Sequence, residues 1–147
     1  MRQVWDGRRT LEVAICVDVD GTLAGLYRRG IRPLRPTTMD GMRALQRHAP
    51  VFLWSVAGRE NGERLLNEYS DLRSLVTGCF DKDSFPVERV RCVYCIDDEA
   101  VDEVVRSAHH FLVPTFNELP DPGGFLDAVT DLLRSLRSGT ARTRESG

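Results

Sequence analysis

Acidic, hydroxyl and amino side chains stand where short apolar segments of this 147-residue chain end. These residues are Asp18 and Asp20, Ser55, Lys82, and Asp97 with Asp98, each placed directly behind a predicted strand. Carboxylates can accept a phosphoryl group and bind a divalent cation, while hydroxyl and ammonium groups can bind phosphate oxygens. The set therefore has the chemical composition of a site for phosphoryl transfer.

Asp18 and Asp20 can take two different roles in such a reaction. Asp18 ends a strand and is held rigidly, so we predict that its carboxylate is the nucleophile that forms an aspartyl-phosphate. Asp20, two residues further on, can protonate the leaving group and then activate water. Gly21 permits a tight turn, and we expect Gly21 and Thr22, in this loop, to contact the phosphate of the substrate.

Carboxylates beside a phosphate dianion repel it unless a cation is present, and Mg²⁺ is bound by carboxylate oxygens. We therefore predict a Mg²⁺ site. Its expected ligands are Asp18, Asp20, Asp97 and Asp98. The alternative interpretation of Asp97 and Asp98 is a helix N-cap ahead of Glu99. Lys82, the only lysine in the chain, can neutralise the nucleophile and the phosphoryl oxygens.

Three segments resemble motifs of the haloacid dehalogenase-like phosphatases. They are residues 17–23 (VDVDGTL), 51–55 (VFLWS) and 95–98 (CIDD). The resemblance covers about residues 11–113. It implies a Rossmann-like sheet, Mg²⁺, a nucleophile at Asp18 and an acid/base at Asp20. The second aspartate indicates a phosphatase, since dehalogenases of this superfamily lack it and P-type ATPases carry threonine there.

Ser55 is the expected phosphate donor of the second motif. Many relatives place Ser or Thr directly before a glycine, whereas Ala57 precedes Gly58 here. If the motif is aligned on Gly58, its key position is Ala57 and one phosphate donor is missing.

The gaps between the motifs are too short for an inserted cap domain. The resemblance then implies an open site, typical of bulky or macromolecular substrates or of a lid supplied by a partner protein or a second copy of the chain. The loop Arg28–Arg35 carries four arginines that either hold a nucleotide or nucleic-acid end or form a solvated surface. Residues 58–60 (GRE) are also similar to the phosphatase domains of polynucleotide end-healing enzymes.

Short apolar strands alternate with amphipathic helices. This alternation predicts an α/β, Rossmann-like three-layer sandwich with a mostly parallel central sheet and no large cap domain. The predicted strands are 11–17, 51–54, 75–80, 91–96 and 110–113, and the predicted helices are 37–48, 59–69, 99–108 and 125–136. We expect one domain over 1–137 and a polar, disordered tail over 138–147.

Composition limits the other classes of function. No apolar run approaches the roughly 20 residues that cross a bilayer, and the first residues lack a signal-peptide pattern. We therefore expect a cytoplasmic protein without membrane contact. Cys92 and Cys95 lie three apart on a predicted strand and should face opposite sides, which favours buried structural thiols over a zinc or redox site.

Two rival functions remain open. A phosphotransferase would use the same Asp18 chemistry, but it would need a cap to exclude water. A non-catalytic module would keep the fold and the Mg²⁺ site as a phosphate-binding or metal-binding surface.

Overall fold

The computed structural model describes residues 5–25, 31–99 and 108–146, with side chains up to residue 139. Five parallel strands form one sheet in the order β3-β2-β1-β4-β5. They are β1 (Leu11–Asp18), β2 (Val51–Ser55), β3 (Gly78–Asp81), β4 (Val90–Asp97) and β5 (His109–Leu112). The predicted Rossmann-like α/β architecture with its parallel sheet is confirmed, and the residues that the structure describes form no large cap.

Within the described ranges, three α-helices accompany the sheet, together with three short 3₁₀ helices. The α-helices are α1 (Thr38–Gln46), α2 (Arg59–Glu68) and α3 (Phe125–Ser146), and the 3₁₀ helices are Ser70–Leu75, Lys82–Ser84 and Val87–Arg89. The strand β3 begins at Gly78 rather than at residue 75, because the 3₁₀ helix after α2 buries Leu72 in the core before the chain enters the sheet. The helix predicted over 99–108 falls almost wholly on residues 100–107, which lie outside the described residues.

The last helix is longer than the sequence predicts. Its expected end was Leu136, but the helical backbone continues to Ser146. Residues 137–146 contain no proline, and each further helical residue adds one backbone hydrogen bond to a helix that is already nucleated.

The helices and one face of the sheet enclose the larger of two cores. Its members include Ile15 and Val17 of β1, Leu65 of α2 and Leu132 of α3. Gly41 lets α1 and α3 approach closely, because a Cβ atom at this position would lie 2.3 Å from the ring of Phe125. This packing fixes the helices against the strands that carry the polar residues.

Aromatic residues cover the opposite face of the sheet. Trp5, Phe52, Phe80 and Phe85 pack with ring centroids 5.2–5.7 Å apart. The tilted and edge-on ring arrangements are those that aromatic quadrupoles favour. Burial on both faces explains why residues 14–17 of β1 and 51–54 of β2 are continuous apolar runs.

The two cysteines of the 92–95 segment face different cores. Cys92 packs against the helix-covered core and Cys95 belongs to the aromatic one, as the strand period requires. All four cysteines are free thiols, and burial raises the pKa of Cys95 to about 12. The prediction that the two side chains face opposite sides of the sheet is confirmed; Cys95 is buried and Cys92 is half-buried.

The order of the strands determines where polar residues can meet. From β1 the chain moves through β2 to β3 on one side and then returns to β4 on the other side of β1. Ligands of open parallel sheets bind at such a switch point, beyond the carboxyl ends of the strands. Asp18 is the last residue of β1 and Asp97 the last of β4, so both stand at this point.

Candidate active site

Three carboxylates and one ammonium group meet at the switch point. One carboxylate oxygen from each of Asp18, Asp97 and Asp98 lies within 4.8 Å of the other two. Lys82 follows β3, and its Nζ is 2.5 Å from Oδ2 of Asp97. A cavity of about 170 Å³ opens above these groups. It is lined by Asp18, Asp20, Ser55, Val56, Ala57, Lys82, Asp97, Asp98 and Glu99.

Asp18 is almost completely buried, with 8% of its surface exposed. The hydroxyl of Thr22 donates a hydrogen bond to its Oδ2 at 3.2 Å. Burial, and then repulsion from Asp97 and Asp98, raises the pKa of Asp18 to about 9, against a weaker opposing effect of Lys82. The site as it stands therefore has more negative charge than its single lysine offsets.

Asp97 has partners for both oxygens. Its Oδ2 accepts from Lys82, and its Oδ1 accepts from the backbone N–H of Glu99 at 3.1 Å. The second contact is of the kind that the N-cap interpretation requires, so this residue serves the local turn and also joins the cluster. Burial alone would lower the pKa of Lys82, but the hydrogen bond and charge of Asp97, with the charge of Asp18, raise it.

Asp98 is fixed by a different loop. Oγ1 of Thr115 donates to its Oδ2 at 3.0 Å. Gly21 makes room for this carboxylate: a Cβ atom at Gly21 would lie 2.2 Å from the same oxygen. The loop after β1 thus shapes the position of the third carboxylate.

Asp20 lines the cavity but stands apart from the three-carboxylate cluster. Its Oδ1 is 3.1 Å from Nη1 of Arg32, and its Oδ2 accepts from Nδ2 of Asn61 at 2.9 Å. The structure therefore brings together three of the four carboxylates predicted to bind the metal. The fourth side chain is turned towards these two donors.

Ser55 ends β2 and is buried at the wall of the cavity. Its Oγ accepts hydrogen bonds from the backbone N–H of Ala57 at 3.1 Å and from Nδ2 of Asn61 at 2.9 Å. Because two donors already point at this oxygen, its own proton is left to donate into the cavity. Ala57 also lines the cavity but offers no side-chain donor, so of these two residues only Ser55 can donate a side-chain hydrogen bond into it.

We expected Gly21 and Thr22 to contact the phosphate, but neither residue lines the cavity. The N–H of Gly21 donates to the carbonyl of Ala24 at 2.8 Å, and the N–H of Thr22 lies 3.4 Å from the carbonyl of Val19. Thr22 is fully buried, with its hydroxyl turned to Asp18. The turn uses the backbone N–H groups of both residues, so they shape the loop, and Thr22 also contacts Asp18.

Two of the four arginines of the loop, Arg32 and Arg35, fit neither interpretation. Arg32 and Arg35 are 2% and 0% exposed, so neither is solvated or free to hold a substrate. Arg35 binds Asp121 at 3.1 Å and the carbonyls of Thr22 and Pro114 at 3.0 and 2.5 Å. A buried guanidinium is retained only where such partners surround it. Arg28 and Arg29 lie outside the described residues.

The cluster suits a hard divalent cation. All its ligand atoms are carboxylate oxygens, which Mg²⁺ prefers, and one buried lysine faces three acidic groups. Burial, and then repulsion from Asp97, raises the pKa of Asp18, and a bound cation would oppose that repulsion. Asp18, Asp97 and Asp98 are therefore the residues that would hold the ion.

Two residues at this site, Asn61 and Thr115, escaped the sequence analysis. Asn61 donates to Asp20, 41 positions away, and to Ser55, while Thr115 donates to Asp98. The only sequence signal for Asn61 was its place in the first turn of the helix behind β2.

No family model matches the sequence, and no curated protein matches it closely enough to assign a family. Within the part of the chain that the structure describes, no helix is long and apolar enough to cross a membrane.

Proposed function

We propose that the protein is a Mg²⁺-dependent phosphomonoesterase that transfers a phosphoryl group first to Asp18 and then to water. The observation that supports this most is the cluster itself: a buried Asp18 beside two further carboxylates and Lys82, opening into a small cavity. A nucleophile, a cation site and a phosphate-binding ammonium group are then within reach of one bound phosphate.

Asp18 is the proposed nucleophile. Its carboxylate ends the central strand, and the hydroxyl of Thr22 restrains its orientation. Ser55 and Lys82 also line the cavity, and they are the proposed donors to the phosphate oxygens. Bound Mg²⁺ would offset the charge of the carboxylates and of the phosphate.

Asp20 is the proposed general acid and base. Its side chain is 41% exposed at the cavity, so it can exchange a proton with a leaving group or with water. General acid–base catalysis of this kind typically contributes about 10²–10⁴-fold to a rate.

The cavity of about 170 Å³ has room for a phosphoryl group but not for a whole nucleotide. The leaving group then lies outside it, past the exposed side chain of Val56. We propose phosphate esters with an accessible terminal phosphate as substrates. Nucleotides and nucleic-acid ends stay among them, with Arg28 and Arg29 as the remaining arginines of the loop that could bind them.

The test is phosphate release from a panel of aryl phosphates, sugar phosphates, nucleotides and oligonucleotides with 3′- or 5′-phosphates. Wild type, Asp18→Asn and a matched control, Asp131→Asn, are compared with Mg²⁺ and with EDTA. Asp131 lies on α3, has 61% of its side chain exposed and is not part of the carboxylate cluster. We expect release only with Mg²⁺, retained in Asp131→Asn and abolished in Asp18→Asn. Full activity of Asp18→Asn would end the assignment, and Mg²⁺ binding without turnover of any substrate would favour a binding module.

A further inference from the structure

The side chain of Asn61 joins two groups of the candidate site. Its Nδ2 donates to Oδ2 of Asp20 and to Oγ of Ser55, each at 2.9 Å. Its Oδ1 accepts from Nη1 of Arg32 at 2.7 Å. Since the carbonyl side faces a guanidinium and the amino side faces two acceptors, the orientation of this amide is determined by its neighbours.

Arg32 supports the same arrangement from behind. Its Nη1 also donates to Oδ1 of Asp20 at 3.1 Å, and its Nη2 donates to the backbone carbonyl of Asn61 at 3.2 Å. The far end of α2 holds the arginine in turn: Glu68 lies 3.5 Å from its Nε, and the hydroxyl of Tyr69 donates to its backbone carbonyl. Arg32 is thus buried and contacts residues at both ends of α2.

We propose that Asn61 and Arg32 are positioning residues that hold the carboxyl group of Asp20 for proton transfer to the leaving group. The inference rests on the proposed function. Each oxygen of Asp20 has one fixed donor, yet the side chain stays 41% exposed at the cavity. Two donors of known direction fix the plane of the carboxyl group and leave its open side towards the substrate.

Asp20 gives up its proton in the first half-reaction and regains one in the second. When the bond between phosphorus and the leaving oxygen breaks, the carboxyl proton of Asp20 passes to that oxygen and a carboxylate remains. Arg32 and Asn61 donate to this carboxylate. In the second step, water returns a proton to Asp20 as its oxygen bonds to phosphorus and the bond from phosphorus to Asp18 breaks.

Leaving-group basicity separates this role from a structural one. A weakly basic leaving group such as para-nitrophenolate departs without a proton, whereas the alkoxide from benzyl phosphate needs one. The two substrates have similar size. A residue that positions the acid should therefore matter much more for benzyl phosphate, while a residue that only stabilises the fold should affect both substrates equally.

The experiment measures kcat/KM for para-nitrophenyl and benzyl phosphate with Mg²⁺, because this ratio includes only the steps up to transfer of the phosphoryl group to Asp18. The variants are Asn61→Leu, which removes the amide, and Arg32→Lys, which keeps the charge but not the forked contact. Asp20→Asn is the reference. Arg35→Met is the matched control, since Arg35 is equally buried but binds Asp121 and backbone carbonyls. Circular dichroism checks that each variant is folded.

We expect Asn61→Leu to lower kcat/KM about 100-fold for benzyl phosphate and less than about 5-fold for para-nitrophenyl phosphate, following the size of general acid catalysis. Arg32→Lys should show the same selectivity to a smaller degree. Arg35→Met should lower kcat/KM by the same factor for both substrates. In an Asp20→Asn background, Asn61→Leu should add no further selectivity, because both substitutions remove the same function, proton transfer by Asp20.

Equal losses for the two substrates in both Asn61→Leu and Arg32→Lys would overturn this inference and leave the phosphatase standing. Additional selectivity in the Asp20→Asn background would also overturn it. A wild-type protein that hydrolyses neither substrate nor any of the wider panel would overturn the inference and the proposed function together.

Discussion

Replacing Asp18 by asparagine is expected to stabilise the metal-free protein at neutral pH. Asparagine has nearly the same shape as aspartate, and its Oδ1 can still accept the hydrogen bond from Thr22. Its amino group can donate to Asp98, which shares a hydrogen bond with Asp18. The substitution therefore removes one acidic group from a crowded buried cluster and leaves the packing in place.

The size of the effect follows from the pKa of Asp18, which is raised from 3.8 to about 9, first by burial and then by Asp97. Below pH 3.8 both states carry the proton and the carboxyl group costs nothing. Between the two values the folded protein keeps a proton that the unfolded chain has lost, so stability falls by about 1.4 kcal/mol per pH unit. The accumulated cost is about 2 kcal/mol at pH 5 and about 4 kcal/mol at pH 7, and Asp18→Asn should recover it.

The assay is urea unfolding in EDTA at pH 5 and pH 7, followed by circular dichroism. Wild type and Asp18→Asn are compared with Asp131→Asn, whose side chain is mostly exposed and should change stability little. Adding Mg²⁺ should stabilise the wild type, because the ion binds the folded state, and should stabilise Asp18→Asn less.

The reasoning would be refuted if Asp18→Asn were less stable than wild type in EDTA at pH 7. A stability difference that did not change between pH 5 and pH 7 would also refute it, because a proton held only by the folded state requires that slope.

Two further substitutions test the neighbours of Asp18. Gly21→Ala places a Cβ atom 2.2 Å from Oδ2 of Asp98 at a φ of +82°, so we expect a folded protein that loses its Mg²⁺-dependent stabilisation in thermal unfolding; an unchanged Mg²⁺ response would contradict this. Lys82→Met removes the partner of the buried Asp97 and should cost about 3 kcal/mol in EDTA, part of which Mg²⁺ restores. Equal stability of Lys82→Met and wild type in urea without metal would show that the ion pair has no such role.

Local sequence patterns were sufficient for most of the fold. Apolar runs of strand length predicted β1, β2 and β4, since a strand that is buried on both faces is apolar over most of its length. The shorter β3 and β5 are only partly buried. The boundary of β3 and the end of α3 were wrong, because a 3₁₀ helix and a polar helical extension carry no periodic apolar signal.

The sequence by itself also determined which residues stand at the carboxyl ends of the strands. In a parallel sheet these ends share one edge, so Asp18, Ser55, Lys82 and Asp97 could be expected in one place before any contact was known. This expectation needed only the order of apolar and polar segments along the chain.

Only the tertiary structure decided what each side chain touches there. It turned the carboxyl group of Asp20 away from the cluster and towards Arg32 and Asn61, residues 12 and 41 positions away. It also buried Arg32 and Arg35, and the arginine-rich sequence of their loop did not predict this burial. The physical reason is that hydrogen bonds and ion pairs form between segments that meet only when α2 and the loops pack against the sheet, and no local pattern encodes those distances.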